Sequence, residues 1–392
     1  FDVRVASVSG ADRAADAMTA EEREEALGTF YIKPIGPVGA AAAHARTLVR
    51  WPGRYVRALA TALRLAGPDP RRVVAYLLYF AEAIVFAEWM LDEELEHFHT
   101  HFSSTVGLIA ARAFPITMSA TMHGPGEFDD PVGFHLAEKV AASAFVVAIS
   151  NYGRSQLMLR ANPEHWEKVD VARLGIDPSV FEPRPFRERP SPFEIVCVGR
   201  LAPVKAQLVL VDAVARLVER GADVRLRLVG DGPDRERLER AVASRGMSSV
   251  VVFEGWQDQD RVQEIYRTAD AFALASFAEG VPVVLMEAMA VEIPCVATRI
   301  TGVPELIEDG VDGLLVPPAD AGALAAALAS LVDDPALRRR LGRAGRLRVL
   351  AEYDLDTNVE RLARVFRDRI SHRGAAVRTD TPVLATPQGA EE

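Results

Sequence analysis

Cysteine is nearly absent from the chain, which has two in 392 residues. Cys197 lies in the apolar run "EIVCVGR" and Cys295 in "IPCVATR". A secreted domain held together by disulfides would need more cysteines at spacings that allow pairing. Both residues are therefore predicted to be small buried side chains rather than parts of a disulfide framework.

An excess of positive charge is also missing. The 45 Lys and Arg residues are outnumbered by 55 Asp and Glu residues, which gives a formal net charge of −10. This balance does not favour a nucleic-acid partner, because phosphate backbones are bound mainly by basic surfaces. A chain of this length is long enough for two domains of ordinary size, each with its own core.

The sequence has no long apolar run that is free of charge. The longest run, residues 73–91, has the length of a membrane span but contains Glu82 and Glu88. Because charges inside a membrane are costly, a buried or interfacial helix is the better interpretation. No signal peptide is visible, and the chain opens at Phe1 directly into "FDVRVASVSG", which is typical of a strand and its turn.

From about residue 190 onward, apolar runs alternate with amphipathic helical stretches. Runs such as "FEIVCVGR", "VRLRLVGDG" and "DAFALASF" are each followed by a helical pattern. Continuous Val, Leu and Ile runs between helices predict a parallel sheet covered on both faces, which is a doubly wound α/β domain. Residues 95–160 show a looser version of the same pattern, so two such domains are predicted. A stretch with five prolines, residues 176–193, predicts the linker between them.

Two cations follow the first strand of the second domain. Arg200 comes directly after "IVCVG", and Lys205 lies five residues later, where the next helix is expected. Ligands of doubly wound sheets bind beyond the carboxyl ends of the strands. Arg200 and Lys205 could neutralise a diphosphate there, or they could be solvated surface cations.

Two glutamates flank a turn in "AEGVPVVLMEA", residues 278–288. Pro282 suits the first position of a helix, which would place the N–H groups of Gly280 and Val281 at or just before its positive end. Glu279 would then lie in the loop, and Glu287 in the first two helical turns. Such a site suits a ligand with both phosphate and sugar hydroxyls. The alternative is that Glu279 complements the helix dipole and Glu287 lies on the surface.

Alternating histidines in "HFHTHF" could resemble a metal site. In a strand, His97, His99 and His101 would project from one face. No carboxylate or cysteine pattern accompanies them, so a packed or ligand-lining role is favoured over a metal role.

Two further patterns resemble known cofactor or metal motifs. "DQD", residues 258–260, resembles a metal-binding D-x-D, but it opens a predicted helix and is better explained as a helix cap. "GDG" at 230–232 lacks the later glycine of a dinucleotide fingerprint, since Arg235 occupies that position, which disfavours a nicotinamide enzyme.

The segment from His44 to Arg72 is rich in arginine. Seven arginines alternate there with Leu, Val, Trp and Tyr. A basic amphipathic helix of this kind can lie on anionic lipid, or it can be a solvated helix face.

Five motifs of the second domain occur in a recognisable order. They are "VGRLAPVK", "LVGDGP", "FEGW", "SFAEGVPVVLMEAMAVEIPCVAT" and "GVPELIEDG". Together they resemble the donor domain of the GT4 family of retaining glycosyltransferases, which have the GT-B fold of two Rossmann-like domains that face a cleft. Weaker similarity extends the resemblance to residues 95–370, and it is strongest to the bacterial exopolysaccharide and colanic-acid branch.

The resemblance implies roles for particular residues. Arg200 and Lys205 match the pair that holds the donor diphosphate, Glu279 the acid near the reacting carbon, and Glu287 the acid that contacts the ribose. The implied catalytic residues are Glu279, His123, Arg200 and Lys205. The implied donor-binding residues are Glu287, Gly280, Val281, Gly199, Gly230, Gly232 and Trp256.

The resemblance also implies an activity. Members of the GT4 family transfer a hexose-type sugar from a UDP- or GDP-sugar with retention, without an essential metal or other cofactor. The implied acceptor is a polysaccharide or lipid-linked oligosaccharide of the cell surface, and the implied location is the cytoplasm, with possible peripheral contact to the inner face of the membrane. Alternatives are a nucleotide-sugar epimerase or glycogen-type synthase on the same fold, and a non-catalytic subunit that binds sugar nucleotides.

The expected domains are residues 1–185 on the acceptor side, 186–350 for the donor, a helix at 351–370 that packs back on the first domain, and a disordered tail at 371–392. There is one departure from the family pattern. The family begins with a strand and a Gly-rich loop ahead of the segment that "FDVRVASV" matches, and we find neither here. A clipped or misassigned start is the preferred explanation.

Overall fold

The computed structural model describes residues 3–11, 18, 20–102 and 104–376. These fall into two compact units, one within residues 1–122, 126–147 and 156–169, and the other within 123–125, 148–155 and 170–392. Residues 170–185 belong to the second unit by this division, whereas the sequence placed the domain boundary between 185 and 186. The part of the expected tail beyond Ala376 lies outside the described residues.

Short strands form two sheets in the first part of the chain. β1 and β2 pair in parallel as a small separate sheet, and the other four strands form a sheet of order β3-β4-β5-β6. In "FDVRVASV", for which a strand was expected, only two described residues have strand geometry. The strands are β1 (Ala6–Ser7), β2 (Phe30–Tyr31), β3 (His97–His101), β4 (Thr117–Met122), β5 (Val146–Ala148) and β6 (Val169–Val171).

Eight helices accompany these strands in the described residues. Side chains of Asp69 and Ser104 cap α4 and α5 by accepting the N–H groups of Arg71 and Gly107. The helices are α1 (Ala20–Gly28), α2 (Gly36–Arg50), α3 (Pro52–Ala66), α4 (Pro70–Asp92), α5 (Thr105–Ala113), α6 (Pro125–Asp129), α7 (Leu136–Ala142) and α8 (Asn151–Arg160), with short 3-10 helices at Lys33–Ile35 and Pro163–Lys168.

The helix α4 is the only one, among the described residues, that is long and apolar enough to cross a membrane. Half of its most apolar window is buried in the first unit. Its two interior acids are paired, Glu82 with Lys33 and Glu88 with the guanidinium of Arg46. This burial and this pairing agree with the prediction of a buried or interfacial helix.

The second unit contains a six-stranded sheet in which every neighbouring pair is parallel. Its order is β12-β11-β10-β7-β8-β9. The parallel pairing confirms what the continuous apolar runs predicted for a doubly wound domain. The strands are β7 (Phe193–Val198), β8 (Val224–Val229), β9 (Val251–Gly255), β10 (Ala271–Leu274), β11 (Cys295–Thr298) and β12 (Leu314–Val316).

Helices cover both faces of this sheet, because successive strand residues alternate between two buried clusters. Ile195 and Cys197 point to one cluster, and Val196 points to the other. Cys197 and Cys295 are free and buried, which confirms their predicted packing role. The helices are α9 (Gln207–Glu219), α10 (Arg235–Ser244), α11 (Gln259–Thr268), α12 (Val283–Ala290), α13 (Val303–Leu306), α14 (Ala321–Asp333), α15 (Pro335–Glu352) and α16 (Leu355–Ala376), with a 3-10 turn at Pro203–Lys205.

The proline-rich stretch predicted as a linker is fixed to the second unit. The guanidinium of Arg338, on α15, is fully buried. It donates to the carbonyl oxygens of Arg187 and Glu188 at 3.2 and 2.8 Å, and to that of Leu331 at 2.6 Å. Because each bond satisfies a backbone acceptor with a charged donor, Arg338 joins the stretch to the end of α14.

The last helix, α16, is bonded to β6 and to the segment that follows it. Asn358 donates to the carbonyl oxygen of Leu174 at 2.9 Å, and Arg369 forms two bonds to the carboxylate of Asp170. The sequence placed residues 170–174 in the first domain, whereas their contacts place them in the second unit. Residues 371–376, expected to begin the tail, continue α16.

Candidate functional site

The loops after β7 and β10 meet at the point where the strand order of the second sheet reverses. From β7 the chain proceeds outward through β8 and β9, then returns to place β10 on the other side of β7. Loops that diverge from two adjacent parallel strands leave an open crevice at their carboxyl ends, which is where ligands bind in such sheets. The loop after β7 carries Arg200 and Lys205, and the loop after β10 carries Glu279.

The structure brings Lys205 and Glu279 together where these two loops meet. The ammonium Nζ of Lys205 lies 2.6 Å from Oε1 of Glu279. The same oxygen accepts the hydroxyl of Ser276 at 2.6 Å, and Thr301 donates to the backbone carbonyl oxygen of Glu279. Glu279 is buried, so its charge is held by these fixed donors rather than by water.

Two backbone N–H groups lie next to Glu279 in the sequence. The helix α12 begins at Val283 with Pro282 as its N-cap, one residue later than the sequence predicted, because Pro282 has extended rather than helical backbone angles. Among the described residues, no acceptor takes the N–H group of Gly280 or Val281. These groups and the first turn of α12 form a positive rim suited to an anion.

Gly280 lies against two other segments of the second unit. A Cβ added to Gly280 would lie 2.1 Å from the carbonyl oxygen of His123, and a Cβ on Gly302 would lie 2.3 Å from the carbonyl oxygen of Gly280. The structure therefore brings the backbone of His123 to the Gly280 turn. Only glycine permits this approach, since any side chain would displace backbone atoms.

Glu287 is buried in the second turn of α12, as predicted, and has two donors. The hydroxyl of Tyr266 bonds to its Oε2 at 3.0 Å, and the amide of Gln259 bonds to its Oε1 at 3.2 Å. Burial and the charge of Glu287 raise the pKa of Tyr266 well above its usual value, so the phenol stays a donor. The second carboxylate is thus fixed in place by its neighbours.

Three glycines allow the loops after β7 and β8 to pack closely together. Gly199, Gly230 and Gly232 all have positive φ angles, 153°, 129° and 157°. A Cβ on Gly230 would lie 2.2 Å from the carbonyl oxygen of Gly199, so these loops pack backbone to backbone. The N–H of Gly230 also donates to Gly255, the residue before Trp256.

Two predicted donor-binding side chains project outward at these loops. Trp256 is 69% exposed. Arg200 is also exposed, and among the described residues its guanidinium forms no ion pair. Both side chains are accessible to a ligand at the edge of the crevice.

Sequence reasoning missed four residues that hold the two glutamates. Ser276 and Thr301 lie just past the carboxyl ends of β10 and β11, so their places after predicted strands could have identified them. Tyr266 and Gln259 belong to α11, and nothing in the amphipathic pattern of that helix distinguishes them from packing or surface residues.

Two weaker patterns make local contacts in the structure. Asp258 caps α11 by accepting the N–H of Arg261 at 2.8 Å, which confirms helix capping. His97 and His99 bond to the hydroxyls of Thr117, Ser119 and Thr121 on the adjacent strand. No group of three metal-ligating side chains that could hold an ion occurs in the described part of the chain.

Comparison with known families and proteins identifies relatives. Residues 181–348 match the family "Glycosyl transferases group 1". A putative colanic acid biosynthesis glycosyltransferase of Escherichia coli strain K12 is 39% identical over 49% of this chain and 49% of its own length. A GDP-mannose-dependent alpha-(1-6)-phosphatidylinositol monomannoside mannosyltransferase of Mycolicibacterium smegmatis is 31% identical over 69% of this chain and 75% of its own.

A solved structure has the same fold. Anabaena HepE in complex with UDP and glucose is 20% identical, with a TM-score of 0.65 over 73% of this chain and 80% of its own. At this identity the likeness establishes the fold alone, which is the predicted GT-B architecture. The chain spans about half the length of the first curated relatives that it matches.

Proposed function

Because the chain belongs to the group 1 glycosyltransferases, we propose that it transfers a hexose-type sugar from a nucleotide-sugar donor to a glycan or lipid-linked glycan of the cell surface. The relatives' roles in colanic acid and phosphatidylinositol mannoside synthesis support an acceptor of this class. The donor is a UDP- or GDP-sugar, as the bound UDP of one structural neighbour and the GDP-mannose dependence of one relative suggest.

One observation carries the proposal. The pair formed by Lys205 and Glu279 lies at the reversal of the strand order, beside the N–H groups of Gly280 and Val281, which no acceptor in the described part of the chain takes. A nucleotide sugar presents both chemistries that this arrangement can bind, a diphosphate for the cations and N–H groups, and hydroxyls for the buried carboxylates. A ligand with phosphate alone would leave the carboxylates facing like charge.

We propose that transfer retains the configuration at the sugar carbon. In a same-face attack the bond from the sugar carbon to the diphosphate oxygen breaks while the acceptor hydroxyl approaches from the same side. The departing diphosphate takes the acceptor proton, and Arg200, Lys205 and the N–H groups of the Gly280 turn stabilise its growing negative charge. Fixed positive charge of the protein then does what a metal ion does in other transferases, so the reaction needs no metal.

The family resemblance supports roles for the remaining predicted residues. Glu279 contacts the donor sugar, Glu287 the ribose, and the loops of Gly199, Gly230 and Gly232 the nucleotide, with Trp256 at their edge. His123 contributes to catalysis from its position against Gly280. We propose that the protein works in the cytoplasm, at the inner face of the membrane where lipid-linked glycans are assembled.

The test is to incubate the protein with UDP- and GDP-sugars, with and without a membrane extract as acceptor. Labelled sugar should enter the extract from one donor class, and added chelator should not reduce the rate. Isomerisation of the donor without acceptor would favour an epimerase, and binding without turnover would favour a non-catalytic subunit. The anomeric configuration of the product, measured by NMR, tests retention, because an inverted product contradicts the proposed mechanism.

A further inference from the structure

The helices α3 and α4 form a hairpin that carries exposed apolar side chains. Gly67, Pro68 and Asp69 connect them, and so short a connection makes the helices run back alongside each other. The C-terminal half of α4 is buried in the core of the first unit. Its N-terminal half is mixed, since Tyr76 is buried whereas Val74 and Leu78 are exposed.

Each helix presents an exposed apolar stripe of two residues. On α3, Val56 and Leu63 lie seven residues apart and are 60% and 42% exposed. On α4, Val74 and Leu78 lie four residues apart and are 62% and 61% exposed. These spacings put each pair on one helix face. Single exposed apolar residues are ordinary, but two such stripes on adjacent helices favour an apolar partner.

Arginines lie beside both stripes. Arg64 follows Leu63, and Arg71 precedes Val74 by one turn. Both are exposed and, within the described ranges, neither forms an ion pair. Residues 51–81 contain five arginines and a single acid, Asp69, whose side chain is engaged as the cap of α4. That segment carries a formal charge of +4, so the rest of the chain carries −14.

We propose that this hairpin surface, defined by Val56, Leu63, Arg64, Arg71, Val74 and Leu78, docks on an anionic membrane. The aliphatic side chains enter the boundary between headgroups and acyl chains, while the two guanidinium groups reach the lipid phosphates. Charge complementarity selects the partner, because the patch is basic on an otherwise acidic protein and anionic lipids attract such patches. The inference extends the location in the proposed function and depends on neither donor nor acceptor.

The experiment is co-sedimentation of the full chain with phosphatidylcholine vesicles, with and without about one third phosphatidylglycerol. The wild type should bind the anionic vesicles and be released at high salt, because screening weakens contacts between exposed charges. Arg64→Gln with Arg71→Gln should lower the partition coefficient roughly 30-fold. Val74→Ser with Leu78→Ser should lower it about tenfold or more.

Matched controls separate this surface from charge or hydrophobicity in general. Arg237→Gln with Arg240→Gln removes two exposed arginines of α10 in the second unit, and Leu347→Ser removes an exposed leucine of α15. Both controls should bind vesicles like the wild type. All variants should keep wild-type circular dichroism and the thermal shift with nucleotide sugars, which reports on the second unit.

Three outcomes would overturn the proposal. Equal binding to neutral and anionic vesicles would show that charge does not select the partner. Unchanged binding by both hairpin variants would place any membrane contact elsewhere. A wild type that forms a dimer dissolved by the hairpin substitutions, without binding vesicles, would show that a second copy covers this surface. Loss of sugar transfer with intact vesicle binding would instead contradict the proposed function alone.

Discussion

Replacing Lys205 with alanine tests whether the ion pair at the strand reversal holds the donor diphosphate. Without ligand, the change removes the cation that lies 2.6 Å from the buried carboxylate of Glu279. Breaking a fully buried pair costs about 3–5 kcal/mol. The Lys205 side chain is 24% exposed and Ser276 still donates to the same oxygen, so we expect a smaller loss of about 1–3 kcal/mol in the free energy of unfolding.

The larger effect should appear in ligand binding. A charge-assisted hydrogen bond from lysine to phosphate contributes about 1.5–3 kcal/mol to binding. Lys205→Ala should therefore raise the dissociation constant of the donor roughly 10- to 150-fold. At a donor concentration about 100 times the wild-type dissociation constant, the wild type gains about 2.7 kcal/mol of stability. A variant that binds 100-fold more weakly gains only about 0.4 kcal/mol.

Differential scanning fluorimetry with a panel of UDP- and GDP-sugars measures this difference. For a unit of this size, about 1 kcal/mol corresponds to roughly 2–4 °C in Tm, so the wild type should shift by about 5–10 °C and Lys205→Ala by about 1 °C. Arg220→Ala is the matched control, since it removes an exposed cation that pairs with Asp333. That control should retain the full ligand-induced shift.

Glu279→Gln separates diphosphate binding from sugar binding. The amide keeps an acceptor oxygen for Ser276 but releases the ammonium of Lys205 from its counter-charge. We expect this variant to bind UDP or GDP at least as tightly as the wild type, and to lose the additional shift that the sugar provides. The reasoning is refuted if Lys205→Ala binds the donor within about threefold of the wild type, a difference of about 0.6 kcal/mol.

Three further changes test packing and charge. Gly280→Ala places a Cβ 2.1 Å from a backbone carbonyl oxygen, so it should lower stability by about 1–3 kcal/mol in denaturant unfolding and abolish the donor-induced shift. Tyr266→Phe removes the phenol donor of Glu287 and should cost about 1.5–3 kcal/mol in the same assay. Burial lowers the pKa of Lys139 from 10.5 to about 8, so the protonated lysine destabilises the fold by about 3 kcal/mol below pH 8. This penalty is lost as pH rises from 8 to 10.5, and the stability advantage of Lys139→Met should disappear over the same range.

Each of these three has a result that would contradict it. Gly53→Ala, at a glycine with no neighbouring atom within 4 Å, is the control for Gly280→Ala, and equal effects of the two would show that no close contact exists. Wild-type stability of Tyr266→Phe would mean that Glu287 does not depend on the phenol. A pH-independent difference between Lys139→Met and the wild type would mean that Lys139 keeps its ordinary pKa.

The second unit could be predicted well from sequence because parallel strands buried on both faces require continuous apolar runs. The loop positions of Lys205 and Glu279 followed from those strands. Their mutual contact did not, since the residues are 74 positions apart and their meeting depends on which strands are neighbours in the sheet. The donors from Ser276, Thr301 and Tyr266 also depend on tertiary packing that spacing does not reveal.

The first unit was harder to predict because much of its long-range packing is between helices. The segment from His44 to Arg72, expected to resemble one amphipathic helix, is divided among three, with breaks at Trp51 and at 67–69. Pro52 and Pro70 each begin a helix there, as their fixed φ angles allow. The predicted linker was misleading for another reason: proline marks extended backbone, but it does not indicate whether neighbouring side chains bind that backbone.

The buried guanidinium of Arg338 has a consequence for protein engineering. A chimaera that exchanges donor halves between related enzymes could be cut among the prolines of residues 176–193. A cut after residue 188 would leave Arg338 in one parent and the carbonyl oxygens of Arg187 and Glu188 in the other. A transplanted segment that starts at residue 170 and ends with α16 would take Arg338, its acceptors and the bonds from Arg369 to Asp170 from the same parent.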